Sequence, residues 1–120
     1  MAVAAKEITE VSKAKGKYFR VSPQKARLVV DLVRGRNCTQ ALAILKVTPK
    51  RACRHVEKVL KSAIANATNN AKLAADALRV KEAVANEGPR LKRYQPKARG
   101  SAGPIIKRTS HIQIVLTDGQ

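Results

Sequence analysis

The chain has 120 residues, 44% of them apolar, which suffices for one small domain over residues 1–120 with a modest core. Twenty-five Lys and Arg against eight Asp and Glu leave a net charge of +17, whose self-repulsion opposes compaction unless a polyanion neutralises it. The aliphatic content argues against disorder, the lack of a long apolar run excludes a transmembrane helix and membrane insertion, and nucleic acid becomes the leading partner.

In chain order, MAVAAKEITEVSK has no signal-peptide apolar region, and Glu7 and Glu10 argue against a transit peptide. Residues 2–11 (AVAAKEITEV) read as a strand, and KAKGKYFR (13–20) as a basic connector. Ser22 caps a helix that Pro23 opens. Leu28, Val29, Leu32 and Val33 recur along it at helical spacing, Gly35 ends it, and Lys25, Arg27 and Arg34 fall off the stripe. A second helix over 39–47 has Ala41, Leu42, Ile44 and Leu45 as its buried side and stops at Thr48-Pro49. A third, over about 50–69, carries Val56, Val59, Leu60, Ala63, Ile64 and Ala67 on one face. Its later turns, SAIANATNN, are small and admit a close neighbour.

After an Ala-rich linker, LRVKEAVANE (78–87) reads as a strand with a bulge, and SHIQIVLTD (110–118) alternates Ile112, Ile114 and Leu116 on one face. Together with the N-terminal strand these predict an α+β domain, three helices packed on a small antiparallel three-stranded sheet. Between the last two strands lies GPRLKRYQPKARGSAGPIIKR (88–108), with seven Lys or Arg, no Asp or Glu and six Gly or Pro. Ordinary hairpin loops use about two to five residues. If the strands continue outward, limbs of about ten residues at ~3.3 Å each make a long protruding β-hairpin of roughly 30 Å.

Little in the chain supports catalysis. His55 and His111 lie in different elements, Cys53 and His55 diverge on a helix, and no carboxylate pair suits acid/base work. Two Cys and two His at these spacings match no zinc site, and Cys38 and Cys53 make no disulfide framework, which favours a reducing compartment. No metal or cofactor is expected. Gly100-x-x-Gly103 resembles a phosphate-clamping GXXG turn but lacks the helices that would flank one.

The basic segments carry the chemistry. Lys13, Lys15, Lys17 and Arg20 surround Tyr18 and Phe19, a mixture in which phosphates take the charge and bases stack on rings. The alternative is that both rings fill the core. The arm repeats the mixture in Arg90, Lys92, Arg93, Tyr94, Lys97 and Arg99, with Lys107 and Arg108 on its return. Folded RNA, with pockets and channels, suits a long irregular arm better than duplex DNA does; a DNA-compacting architectural protein is the alternative.

FRVSPQKARLVVDLVRGR (19–36), VLKSAIANATNN (59–70), EGPRLKRYQPKARG (87–100) and IKRTSHIQIVL (106–116) closely resemble the family of ribosomal large-subunit protein twenty-two, of the bacterial and plastid type, in order over roughly residues 6 to 117. The resemblance implies a domain on the surface of the large subunit that binds its ribosomal RNA and assists assembly. It also implies an arm that lines the polypeptide exit tunnel, beside a neighbouring ribosomal protein and in transient contact with the nascent chain. Arg90, Lys92, Arg93, Lys97 and Arg99 would then touch RNA or line the tunnel, with Gly100, Ser101 and Ala102 at the tip. Lys107, Arg108, Ser110 and His111 match the KRTSH return limb, and Ser22, Lys25 and Arg27 match the SPxKAR helix start. The implied location is the cytoplasmic ribosome, or the plastid stroma for an organelle-encoded chain. The sequence departs from the family at the tip, where many relatives carry a basic residue in place of Ser101 and a charged or polar pair in place of Gly103-Pro104.

Overall fold

The computed structural model describes residues 10–70 and 77–117. In order these form β1 (Glu10–Phe19), α1 (Pro23–Val33), α2 (Cys38–Val47), α3 (Ala52–Asn70), β2 (Arg79–Glu87), β3 (Leu91–Pro96), β4 (Ala102–Lys107) and β5 (Ser110–Thr117). Strands β1, β5 and β2 make one antiparallel sheet in that order, and β3 with β4 makes a separate two-stranded ladder. The α+β architecture and the protruding hairpin are as expected from sequence.

The first strand is not. Most of the strand expected over 2–11 lies outside the described residues, and KAKGKYFR is the body of β1 rather than a connector. Lys13, Lys15 and Lys17 face solvent, while Ser12, Ala14 and Gly16 alternate inward. The inward residues are small because α3 lies directly on them. Ser12 Oγ donates to Ala63 O at 2.9 Å, and a Cβ on Gly16 would stand 2.3 Å from the Phe19 ring and 2.9 Å from Val59. The small turns of α3 therefore do receive a close neighbour, and that neighbour is β1.

Helix α1 begins as expected, with the Ser22 hydroxyl accepting from the Lys25 N–H. Its buried stripe is Ala26, Val29, Val30 and Val33; Leu28 and Leu32 are 59% and 36% exposed, contrary to expectation. The smaller side chains win because α1 sits close to the backbone of β2, where Arg27 Nε donates to Ala85 O at 3.0 Å and Arg34 to Ala83 O at 2.6 Å. On α2, Ala41 and Leu45 are buried with Cys38, while Leu42 and Ile44 are half-buried. The expected stripe of α3 is buried except for Ile64, which is half-buried. A register shift between Val80 and Glu82 supplies the bulge in β2.

Central strand β5 inserts Ile112, Ile114 and Leu116 into one core with Leu60, Leu78 and the valines of α1 and α3. Cys38 and Cys53 are free and buried in it, and burial pushes the Cys38 thiol up to about 11, which suppresses the reactive thiolate. The arm has no share in this core. The radius of gyration is 18.0 Å with extents of 69 × 34 × 23 Å, against about 14 Å for a compact chain of this length.

Because Gly16 has no spare volume, Gly16→Ala is expected to destabilise the domain by about 1–3 kcal/mol through overpacking. A urea titration should show a lower midpoint with an unchanged slope.

Candidate nucleic-acid interface

The root of the arm is built before its charges are placed. Gly88 N donates to Thr109 O at 2.9 Å, and the Thr109 hydroxyl donates to Pro89 O at 2.7 Å, joining the two limbs where β2 and β5 separate. A side chain at Gly88 would meet Thr109 and His111, so the close approach there requires glycine. Glu87 ties down two of the arm's cations, lying 2.7 Å from Arg90 and 3.7 Å from Arg108. Both pairs are solvent-exposed, so they orient the side chains more than they stabilise the fold.

Beyond the root, β3 and β4 pair from Leu91↔Lys107 to Pro96↔Ala102. Cross-strand partners share a face, so Lys92, Tyr94, Pro96, Ala102, Pro104 and Ile106 lie on one side, and Leu91, Arg93, Gln95, Gly103, Ile105 and Lys107 on the other. Tyr94 is 76% exposed. Lys92, Arg93, Lys97 and Arg99 enter no ion pair among the described residues.

The tip is a short 3-10 turn, Ala98–Gly100, in which Arg99 and Gly100 both adopt left-handed backbone, with φ of 60° and 73°. For a non-glycine residue that conformation costs on the order of 1 kcal/mol. Lys97 N donating to Ser101 O at 2.7 Å, and Ser101 Oγ to Ala98 O at 2.8 Å, close the turn. The Lys97 side chain lies across Gly103, where a Cβ would stand 2.5 Å from Cε. Glycine at 103 thus makes room for Lys97.

On the head, Lys13, Lys15 and Lys17 form an outward row on edge strand β1, and Lys15 and Lys17 share a shallow depression with Lys58 of α3. Where β1 ends, Tyr18 adopts left-handed backbone (φ 63°) and turns out, leaving its ring 61% exposed. Phe19 turns in and packs against the core and the His55 ring, with centroids 4.8 Å apart. The two aromatics therefore divide the roles that the sequence left open. His111 supports Tyr18: its Nδ1 accepts from the Tyr18 N–H at 3.1 Å, and the rings meet edge to face at 5.0 Å. Ser110, expected at the RNA surface, is fully buried with its hydroxyl donating to Val21 O. It joins β5 to the segment before α1 and offers RNA nothing directly.

The remaining expected residues converge. Arg20, Ser22, Lys25 and Arg27 near the start of α1 and Lys107 and Arg108 on the return limb line one open cleft of ≈ 1070 Å³. Lys50, Arg51, Leu28 and Ile106 line it too, and sequence reasoning missed all four. A signal existed for two of them. Lys50 and Arg51 precede α3 at its positive end, where Asp, Glu or a small polar cap is favoured, and α3 has no acidic residue in its first turn. Two surfaces result: arm with cleft, and the lysine row of β1.

Residues 14–117, from the middle of β1 to the end of β5, match the family model described as Ribosomal protein L22p/L17e. The chain belongs to that family. It is similar to the "Large ribosomal subunit protein uL22" of Staphylococcus aureus strains JH9 and Newman, 54% identical over 109 residues, which cover 91% of this chain and 93% of each relative. Both relatives are bacterial, and nothing in these matches supports the plastid alternative.

His55, at the cleft end of α3, should make stability depend on pH. Burial, and then the charges of Arg51 and Lys58, hold its pKa below the usual 6.5. The folded state thus favours neutral imidazole, so the stabilisation is full above about pH 6.5 and is lost as pH falls toward the folded value. Denaturant midpoints should decline over that window in the native protein, and His55→Gln should flatten the decline.

Proposed function

We propose that this chain is a structural constituent of the large ribosomal subunit in the cytoplasm, bound through ribosomal RNA, with no catalytic role. Its arm lines the polypeptide exit tunnel beside a neighbouring ribosomal protein and meets the nascent chain in transit. By tying separate RNA segments to one head, the chain also assists subunit assembly. The observation that carries this reading is the arm itself: an antiparallel ladder with exposed cations, no carboxylate between Pro89 and Arg108, and no share in the core, in a member of a ribosomal-protein family.

The roles follow from the chemistry. Lys92, Arg93, Lys97 and Arg99 neutralise phosphates along the arm, and Arg90 and Lys107 do so near its root. Tyr94 and Tyr18, both turned outward, offer faces on which unpaired bases stack. Gly100, Ser101 and Ala102 carry no charge, so the tunnel-facing tip presents its cations through Arg93, Lys97 and Arg99. Lys13, Lys15 and Lys17 serve a second RNA contact on the head.

Two measurements test this. Purified large subunits should contain the chain at near-unit stoichiometry, and its absence there would refute the reading. For binding to large-subunit RNA fragments, each of Lys92→Gln, Arg93→Gln and Arg99→Gln should reduce the slope of log affinity against log salt by about 0.7–0.9. Duplex DNA that competes as well as those fragments would point instead to general DNA compaction.

A further inference from the structure

We propose that the cleft at the root of the arm seats an unpaired stretch of RNA, with phosphates on its cationic rims and base faces against Leu28 and Ile106. The inference rests on the ribosomal reading for the choice of RNA, and on the cleft alone for the choice of an unpaired strand.

Three observations support it. Seven cationic side chains line the cleft against one carboxylate, Glu87, which already bridges Arg90 and Arg108. Lys50 and Arg51 stand at the positive end of α3, where they oppose the helix dipole until an anion arrives. Within this cationic surround, Leu28 and Ile106 remain 59% and 40% exposed. Ile106 pairs with Lys92 on the arm face that also carries Tyr94 and Pro104, so the apolar strip runs from the cleft up the arm.

An apolar strip between rows of cations matches a ligand with charged edges and flat apolar faces. Duplex RNA hides its base faces in the stack and would press phosphates and sugars onto Leu28 and Ile106. An unpaired strand presents both chemistries together. The volume, ≈ 1070 Å³, reaches the upper end of the roughly 300–1,000 Å³ that holds a drug-sized ligand, so a few nucleotides fit better than one ion.

The test uses the full chain, an oligouridylate of about ten nucleotides and an RNA duplex of about ten base pairs. Charge density alone favours the duplex, so electrostatics cannot produce the expected result by itself. The native protein should bind the single strand about tenfold more tightly, the order of one well-placed base contact. Leu28→Ser with Ile106→Ser, at positions already exposed, should cut that preference to about twofold, chiefly by weakening the single-strand complex. Lys50→Gln with Arg51→Gln should weaken both complexes about tenfold. The His55 NMR titration should also move up when oligouridylate binds, because a phosphate at Arg51 offsets one charge that lowers it.

The proposal is overturned if the duplex binds as tightly as the single strand. It is also overturned if the Leu28 and Ile106 changes leave the preference intact, or if an oligoglutamate of similar length binds equally well. Should the oligouridylate results hold while large-subunit RNA shows no advantage over duplex DNA, the cleft assignment stands and the ribosomal reading fails.

Discussion

Like-charge repulsion along residues 88–108, where seven Lys and Arg meet no Asp or Glu, governs the design of this molecule. Two short strands with a few half-buried aliphatics cannot offset it, because an isolated two-stranded hairpin is marginal in water even without net charge. The arm must therefore be launched from something rigid and received by something anionic. The head provides the first condition. Strand β5 is flanked on both sides, its Ile112, Ile114 and Leu116 fill the core, and Ser110 at its start is locked to Val21. Glu87 at the end of β2 is the one acid at the root, and it holds an arginine from each limb.

The same logic explains features that weaken the isolated domain. Cations precede α3 where its dipole favours anions, Leu28 and Ile106 face solvent, and Tyr18 and Arg99 hold left-handed backbone. Each is a local cost that a polyanion with exposed bases would offset. Their positions are not scattered: Lys50, Arg51, Leu28 and Ile106 line one cleft, and Arg99 marks the far end of the arm that leaves it. Stability resides in the sheet and the buried faces of the helices, and recognition in the surfaces those elements leave uncovered.

Which parts of this were legible in the sequence depends on how apolar contrast is distributed. Helix α3 and strand β5 carry large aliphatics at clean periods, and both emerge as read. The charge and length of 88–108 likewise announce the arm. Strand β1 is illegible in the sequence because its inward positions are Ser12, Ala14 and Gly16, too small to register as a hydrophobic alternation; only the partner helix reveals why they are small. In α1 the larger Leu28 and Leu32 suggest a stripe of the wrong phase, whereas close packing on β2 selects the smaller Ala26 and Val30. The family resemblance sets Ser110 against RNA, but its hydroxyl bonds across the fold. The cleft could not be read from sequence because four distant stretches, around residues 20–28, 50–52, 87 and 106–108, assemble it.

The central claim, that the arm is ordered by RNA and not by its own contacts, is tested most directly by backbone NMR order parameters for residues 91–107, free and bound to large-subunit RNA fragments. The account predicts values below about 0.6 in the free chain, rising toward about 0.85 on binding, while β5 stays rigid throughout. An arm as rigid as β5 before any RNA is added, or one that stays equally mobile in the complex, would contradict it.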